Sequence, residues 1–275
     1  MVTIHPTAVV DPAAQLGANV SIGPYAVIGP NVVLGDGVTV QSHVVIDGRT
    51  TIGAGTTIYP FASIGLPPQD LKYKGEASVL EIGANCIIRE HVTVNPGTEG
   101  GGMVTRVGDK VMLAIGSHVA HDCLIGNGCL VMNHVLLGGH VVIGDYAVLG
   151  GGSAVHQFVR IGKHAMIGGL SGVENDVIPY GTVMGNRARL EGLNILGMKR
   201  RGFGREDIHA VRNAYKMLFL DAAQGVMAER VVAVEQTYGS AEAVRDILDF
   251  IGGHSSRALC RPATDGHQAT EGDAA

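Results

Sequence analysis

Tryptophan is absent from this chain, aromatic residues make up only 4% and charged residues only 16%. No stretch approaches the ~18 uninterrupted apolar residues that a membrane-spanning helix needs, so stable membrane insertion is not expected. The opening MVTIHPTAVVDPAAQ lacks a cationic start followed by an apolar block, and so does not read as a signal peptide. Four cysteines (Cys86, Cys123, Cys129, Cys260) form no CxxC and no framework spacing. That argues against a disulfide scaffold and for reduced thiols in a cytoplasm. A net charge of −5 argues against a general nucleic-acid binder.

What the chain has is glycine, 41 of 275 residues, and aliphatic side chains on a fixed beat. Stepping by six from Ile4 gives Val10, Leu16, Ile22, Ile28, Leu34, Val40, Ile46, Ile52, Ile58 and Ile64. After GLPPQDLKYKGEASVLE the same register resumes at Ile82, Ile88 and Val94. After NPGTEGGGMVTR a shifted register runs from Val107 through Val119 and Leu137 to Val173. A six-residue period fits neither a lone helix nor a hairpin array; it is the mark of a parallel β-helix. Each hexad reads as a short strand and a turn, with glycine, asparagine or aspartate at the corners to supply unusual backbone angles. Three hexads close one triangular coil, so residues eighteen apart stack at a strand spacing of roughly 4.8 Å. The expected fold is therefore an all-β solenoid over 1–187, with excursion loops near 66–80 and 95–106. A helical region at 188–257 follows, and then a disordered tail at 258–275. Long loops on a rigid scaffold commonly carry function, which makes both excursions candidate site walls.

The period also says which polar side chains are neighbours. One coil above His121 stands Gly139, and one further coil up stands Gln157; His140 lies above Asp122, and Gly138 and His156 lie above Ala120. HVAHDC, LLGGHV and AVHQF are thus one corner seen on three levels. A histidine beside a carboxylate is the recipe for a general base, the acid orienting the ring and stabilising the imidazolium. Asp122 acts on His121 either through corner geometry or only through its field. Gly139 has no side chain, so its N–H can approach a developing oxyanion. Convergent histidines also fit a metal site, but no thiolate pair joins them, and a metal is not expected.

QDLKY (69–73), HVAHDC, GGH (138–140), AVHQF (154–158), SGV (171–173) and GLNILGMKRRGF (192–203) together resemble the UDP-N-acetylglucosamine O-acyltransferase family of lipid A biosynthesis, over nearly the whole chain. The resemblance implies a left-handed β-helix with a C-terminal helical region, assembled as a homotrimer with sites between subunits. It implies transfer of an (R)-3-hydroxyacyl group from acyl carrier protein to the 3-hydroxyl of UDP-N-acetylglucosamine, without a cofactor. It makes His121 the base, Asp122 its partner and the Gly139 N–H the oxyanion donor. Asp70 and Lys72 would contact the glucosamine ring, and His118 and His140 would line the sugar and acyl pocket. His156, Gln157, Asn194, Arg200 and Arg201 would hold the nucleotide. The position of Gly169 limits acyl length in relatives, and a glycine there implies a long chain. Leu196 stands where some relatives carry a carboxylate that contacts the nucleotide.

Beyond Val173 the hexads fade. GREDIHAVRNAYKMLFLDAA reads as an amphipathic helix, with AERVVAVEQTYG and SAEAVRDILDFIGG as two more and Ser240 as an N-cap. Residues 187–216 carry eight basic and three acidic side chains, suited to an acidic partner such as acyl carrier protein and to a pyrophosphate. Two other enzyme readings are a hexapeptide metalloenzyme of the carbonic-anhydrase type and the related N-acyltransferase. The N-acyltransferase has an extra N-terminal domain, for which hexads beginning at Ile4 leave no room. A non-catalytic solenoid binding module is the reading from another class.

Overall fold

The computed structural model describes residues 1–221 and 225–263. Its main body is a triangular prism wound as a left-handed parallel β-helix. Most strands are two residues long, because a hexad holds only a strand and a turn. Thr3–Ile4, Val9–Val10 and Gln15–Leu16 begin the three faces, and every third strand joins the same face. The first, second and third faces contain eleven, nine and eight strands among the described residues. Pairing is parallel and in register, as in Leu16 opposite Leu34 and Leu136 opposite Ala154. The closing pair of the first face, Gly181–Met184 with Arg189–Leu193, is antiparallel.

The sixfold beat is the core. Every beat position from Ile22 to Val173 points into the prism and none is more than 4% exposed. Each such burial is worth about 1.5–3 kcal/mol. Ile4, Val10 and Leu16 are less covered, because no coil precedes theirs. The excursions leave the prism without disturbing it. Ile64 pairs with Val94 and Val94 with Val119, so the pairing offset rises from its usual 18 to 30 and then 25. Both loops are narrower than the spacing suggested, since Val79–Ile82 and Val104–Val107 are already paired as strands.

Among the described residues four α-helices follow: α1 (Ile195–Arg200), α2 (Arg205–Tyr215), α3 (Met227–Tyr238) and α4 (Glu242–Gly252). The expected helix from 204 to 223 is α2 followed by a π-helical turn at Lys216–Leu220, and part of its end lies outside the described residues. Ser240 is not the cap of α4; Ala241 holds that position without a side-chain bond. Tyr180, Met198, Val211, Leu218, Val244 and Ile247 form a second apolar core among these helices. The Tyr180 hydroxyl donates to Asp246 Oδ2 at 2.5 Å, and Lys163 pairs with Asp246 Oδ1 at 2.5 Å. Arg160 bonds Asp176 and the Phe250 carbonyl, so prism and helices are tied by polar contacts too.

Residues 258–261, expected to open a disordered tail, are instead paired with the end of the prism. Asp176 N–H donates to Ala258 O, Cys260 N–H to Asp176 O and Leu190 N–H to Arg261 O, and Cys260 is buried. Residues from 264 onward lie outside the described residues. Among the described residues, no helix is long and apolar enough to cross a membrane.

Candidate active site

Three successive coils turn the corner between the second and third faces at Ala120–Asp122, Gly138–His140 and His156–Phe158. His140 N–H donates to His121 O at 3.0 Å and Phe158 N–H to Gly139 O at 3.1 Å, which locks these levels together. Asp122, His140 and Phe158 hold φ of 60°, 62° and 66°. This left-handed backbone is unusual for non-glycine residues. It swings the Asp122 side chain back over the turn, and its Oδ2 accepts from His121 Nδ1 at 2.7 Å. The partnership is thus a direct bond, which decides between the two routes open from the sequence.

The Asp122 carboxylate is fully buried. Its oxygens accept from three donors: Thr98 N–H to Oδ1 at 2.9 Å, Thr98 Oγ1–H to Oδ2 at 2.6 Å, and the imidazole. Its own N–H donates to Thr105 Oγ1 at 2.7 Å. A carboxylate accepts only, so His121 carries its proton on Nδ1 and presents a bare Nε2. That nitrogen faces Gly139: a Cβ built there would lie 2.7 Å from Nε2 and 2.6 Å from Cε1. The Gly139 N–H makes no hydrogen bond among the described residues. A bare imidazole nitrogen and an open backbone donor therefore stand side by side. Cys123 does not compete as a nucleophile, since burial inside the prism pushes its thiol up to about 12.

The remaining expected residues fall into separate clefts. His118, His121, Gly139 and Gln157 line a cleft of about 340 Å³ on the second face, with Leu136 and Ala154 as its floor and Gln69 and Asn95 from the excursions as its wall. His118 bonds Thr93 Oγ1 through Nδ1 at 2.7 Å, and burial, with the charge of His121 second, holds its imidazole below the usual value. His140 faces an adjoining cleft of about 680 Å³ with Phe158 and Arg257. Its ring stacks on Phe158 and meets His121 edge-on, and burial is the largest cause of its lowered basicity. The charges of Asp70 and Lys72 also act on it, and Gln69 of the same loop lines the His121 cleft. His156 and Gln157 are tied down by Arg257, whose guanidinium bonds His156 Nδ1 and the Gln157 carbonyl.

Asn194, Arg200 and Arg201 lie elsewhere. They line a cleft of about 710 Å³ on the first face, with Leu130, Val148, Met166 and Leu196. One chain does not bring them to His121. Asn194 caps α1, accepting from Gly197 N–H while donating to His164 O, and Arg201 lies over the Tyr146 ring at 4.1 Å. Gly169 is exposed on the corner between the first and second faces, at the far edge of the second face from His121.

His121, Asp122 and His140 offer ligand atoms within 4.8 Å of one another, the donor set a cation would use. Both carboxylate oxygens already accept donors, and His121 Nδ1 is one of them, which disfavours a metal here. Thr98, Thr105, Asn95 and Arg257 were missed in the sequence. Only the glycine-rich excursion containing Thr98 gave a signal.

The family model described as Udp N-acetylglucosamine O-acyltransferase, domain 2, matches residues 176–260, and the bacterial transferase hexapeptide model matches residues 13–48. An acyl-[acyl-carrier-protein]–UDP-N-acetylglucosamine O-acyltransferase of Methylobacterium radiotolerans is 58% identical over 205 residues, 74% of this chain and 75% of that protein. Its namesake in Bartonella henselae is 47% identical over 268 residues, covering 98% of this chain and 97% of the relative. The solved UDP-N-acetylglucosamine acyltransferase of Bacteroides fragilis superposes with a TM-score of 0.90 at 40% identity, over 94% of this chain and 100% of that one. With a hexad prism, a matching helical region and relatives alike over nearly full length, this chain belongs to the acyl-[acyl-carrier-protein]–UDP-N-acetylglucosamine O-acyltransferase family.

Proposed function

We propose that this protein transfers an (R)-3-hydroxyacyl group from acyl carrier protein to the 3-hydroxyl of UDP-N-acetylglucosamine, with His121 as general base. The observation that carries this reading is the bare Nε2 of His121 beside the free N–H of Gly139, backed by the buried Asp122 carboxylate. Nε2 takes the proton of the sugar hydroxyl as its oxygen attacks the thioester carbonyl. The tetrahedral oxyanion accepts from Gly139 N–H, and Asp122 stabilises the imidazolium. Collapse expels the carrier thiolate, which recovers the proton from His121.

The other roles follow from placement. The loop of Asp70 and Lys72, with His118 and His140, holds the glucosamine. The acyl chain runs along the apolar second face, over Leu136 and Ala154, towards Gly169. His156 and Gln157 on one chain, with Asn194, Arg200 and Arg201 on a neighbour, hold the nucleotide, so the working form is a homotrimer. The separation of those groups onto two faces of one prism supports this. The basic set from Arg187 to Lys216 receives the acidic carrier protein. Four buried, unbridged cysteines support a cytoplasmic location. The test is His121→Ala assayed with acyl carrier protein and UDP-N-acetylglucosamine: a folded protein with turnover down at least about 100-fold is expected. Substantial residual turnover sinks the reading.

A further inference from the structure

Two imidazoles compete for one carboxylate oxygen. Asp122 Oδ2 lies 2.7 Å from His121 Nδ1 and 3.8 Å from His140 Nδ1. The prism alone does not decide between them, since both rings belong to the same corner. The decision comes from the second excursion. Thr98 grips both carboxylate oxygens, its N–H on Oδ1 and its hydroxyl on Oδ2. Two donors from one residue fix the plane of the carboxylate as well as its position. With that plane fixed, the remaining lone pair of Oδ2 meets His121 and misses His140.

Thr98 is itself held. Its carbonyl accepts from Gly101 N–H and Met103 N–H at 3.1 and 3.0 Å, closing the turn Glu99–Gly101. Gly101 rests on the carboxylate so closely that a Cβ there would lie 2.0 Å from Asp122 Cγ. Next door, Glu99 N–H donates to Glu76 Oε1 at 3.1 Å, and Asn95 Nδ2 donates to Leu66 O at 3.1 Å. The excursion bearing Asp70 and Lys72 is therefore latched to the excursion bearing Thr98.

We propose that Thr98 is a positioning residue for the proton transfer at His121: its paired donors aim Asp122 at His121 rather than His140. The catalytic consequence rests on the acyl-transfer reading above; the aiming itself does not.

The test compares Thr98→Val, Thr98→Ser and Gly101→Ala in the full-length protein. Valine removes the hydroxyl, serine keeps both donors, and Gly101→Ala keeps both while driving a methyl into the carboxylate. Thr98→Val and Gly101→Ala should lower kcat by about 10- to 100-fold with KM for either substrate within about twofold, a share of what a positioned base supplies. Thr98→Ser should restore kcat to within about threefold of the parent. ¹⁵N NMR of the histidine rings without substrate should show His121 losing its single Nδ1–H tautomer in Thr98→Val and keeping it in Thr98→Ser. An unchanged tautomer in Thr98→Val overturns the proposal, and so does a kcat loss that serine does not rescue. Should Thr98→Val fail to fold, Gly101→Ala with normal kcat and tautomer overturns it as well. The tautomer needs no substrate, so it separates failure of the aiming from failure of the acyl-transfer reading.

Discussion

Replacing Gly139 by alanine tests the heart of the site with one methyl group. The Gly139 backbone is not left-handed, so alanine meets no conformational penalty and even gains about 0.4–1 kcal/mol through the unfolded chain. The new Cβ would sit 2.6 Å from His121 Cε1, where ordinary contact begins at 3.4 Å. The ring has to retreat by roughly 0.8 Å, the difference between those distances. It cannot retreat that far and keep a good bond to Asp122, because that carboxylate is pinned by Thr98 and a shift of that size along the bond takes the 2.7 Å contact with Nδ1 to about 3.5 Å, the outer edge of hydrogen bonding. A misplacement near 1 Å costs on the order of 10²-fold in rate. Gly139→Ala should therefore lose about 100-fold in kcat, with a melting temperature close to the parent's. The assay is acyl transfer to UDP-N-acetylglucosamine from a purified acyl carrier protein thioester, with denaturation followed in parallel. A variant within about threefold of parental kcat would show that His121 does not work where it stands.

Five other outcomes are expected. His118, His140 and His164 are held below the usual imidazole value, by burial first in each. The unfolded chain therefore takes up these protons at higher pH than the folded one, so stability rises with pH and is lost as pH falls below about 6.5. Melting scans from pH 7.5 downward check this, and a flat profile refutes it. His164→Phe should flatten part of that slope: His164 stacks between Tyr146 and Tyr180, and Phe158 already shows that phenylalanine accepts such a corner backbone. Tyr180→Phe should cost about 1.5–3 kcal/mol in urea unfolding, since its hydroxyl donates to Asp246 between prism and helices. Gly169→Met should shift donor preference to shorter acyl groups, read by mass spectrometry of products from a mixed acyl carrier protein pool. Chelator treatment should leave turnover unchanged, because the Asp122 oxygens already have donors; a loss restored by zinc would revive the metalloenzyme reading.

The prism could be read before any coordinates because its rule is local. Ile58 or Leu137 needs only to be aliphatic every sixth residue, and stacking then follows from arithmetic. The same arithmetic put His121 under Gly139, and the structure has them in contact. It failed where the chain leaves the beat. Thr98 sits on an excursion whose path is set by bonds to Met103, Glu76 and Asp122, none at a repeating spacing. Helix α1 was missed because six residues containing a glycine show no period. The pairing of 258–261 was missed because Leu259 and Cys260 find partners only at the end of the prism, on Asp176 and Ala188. Asn194, read only as a nucleotide ligand, already uses its amide to cap α1 and hold His164.

Because each coil advances the same step, the number of coils between His121 and Gly169 acts as a ruler graduated in strand spacings of about 4.8 Å. Inserting or deleting one whole coil there would leave the hexads in phase and the His121–Asp122 pair intact, yet move the end of the proposed acyl path by one graduation. Under the proposed acyl-transfer reading, chain-length preference then answers to steps of eighteen residues as well as to the bulk of the side chain at 169, and it can be retuned by coil duplication without touching His121 or Asp122.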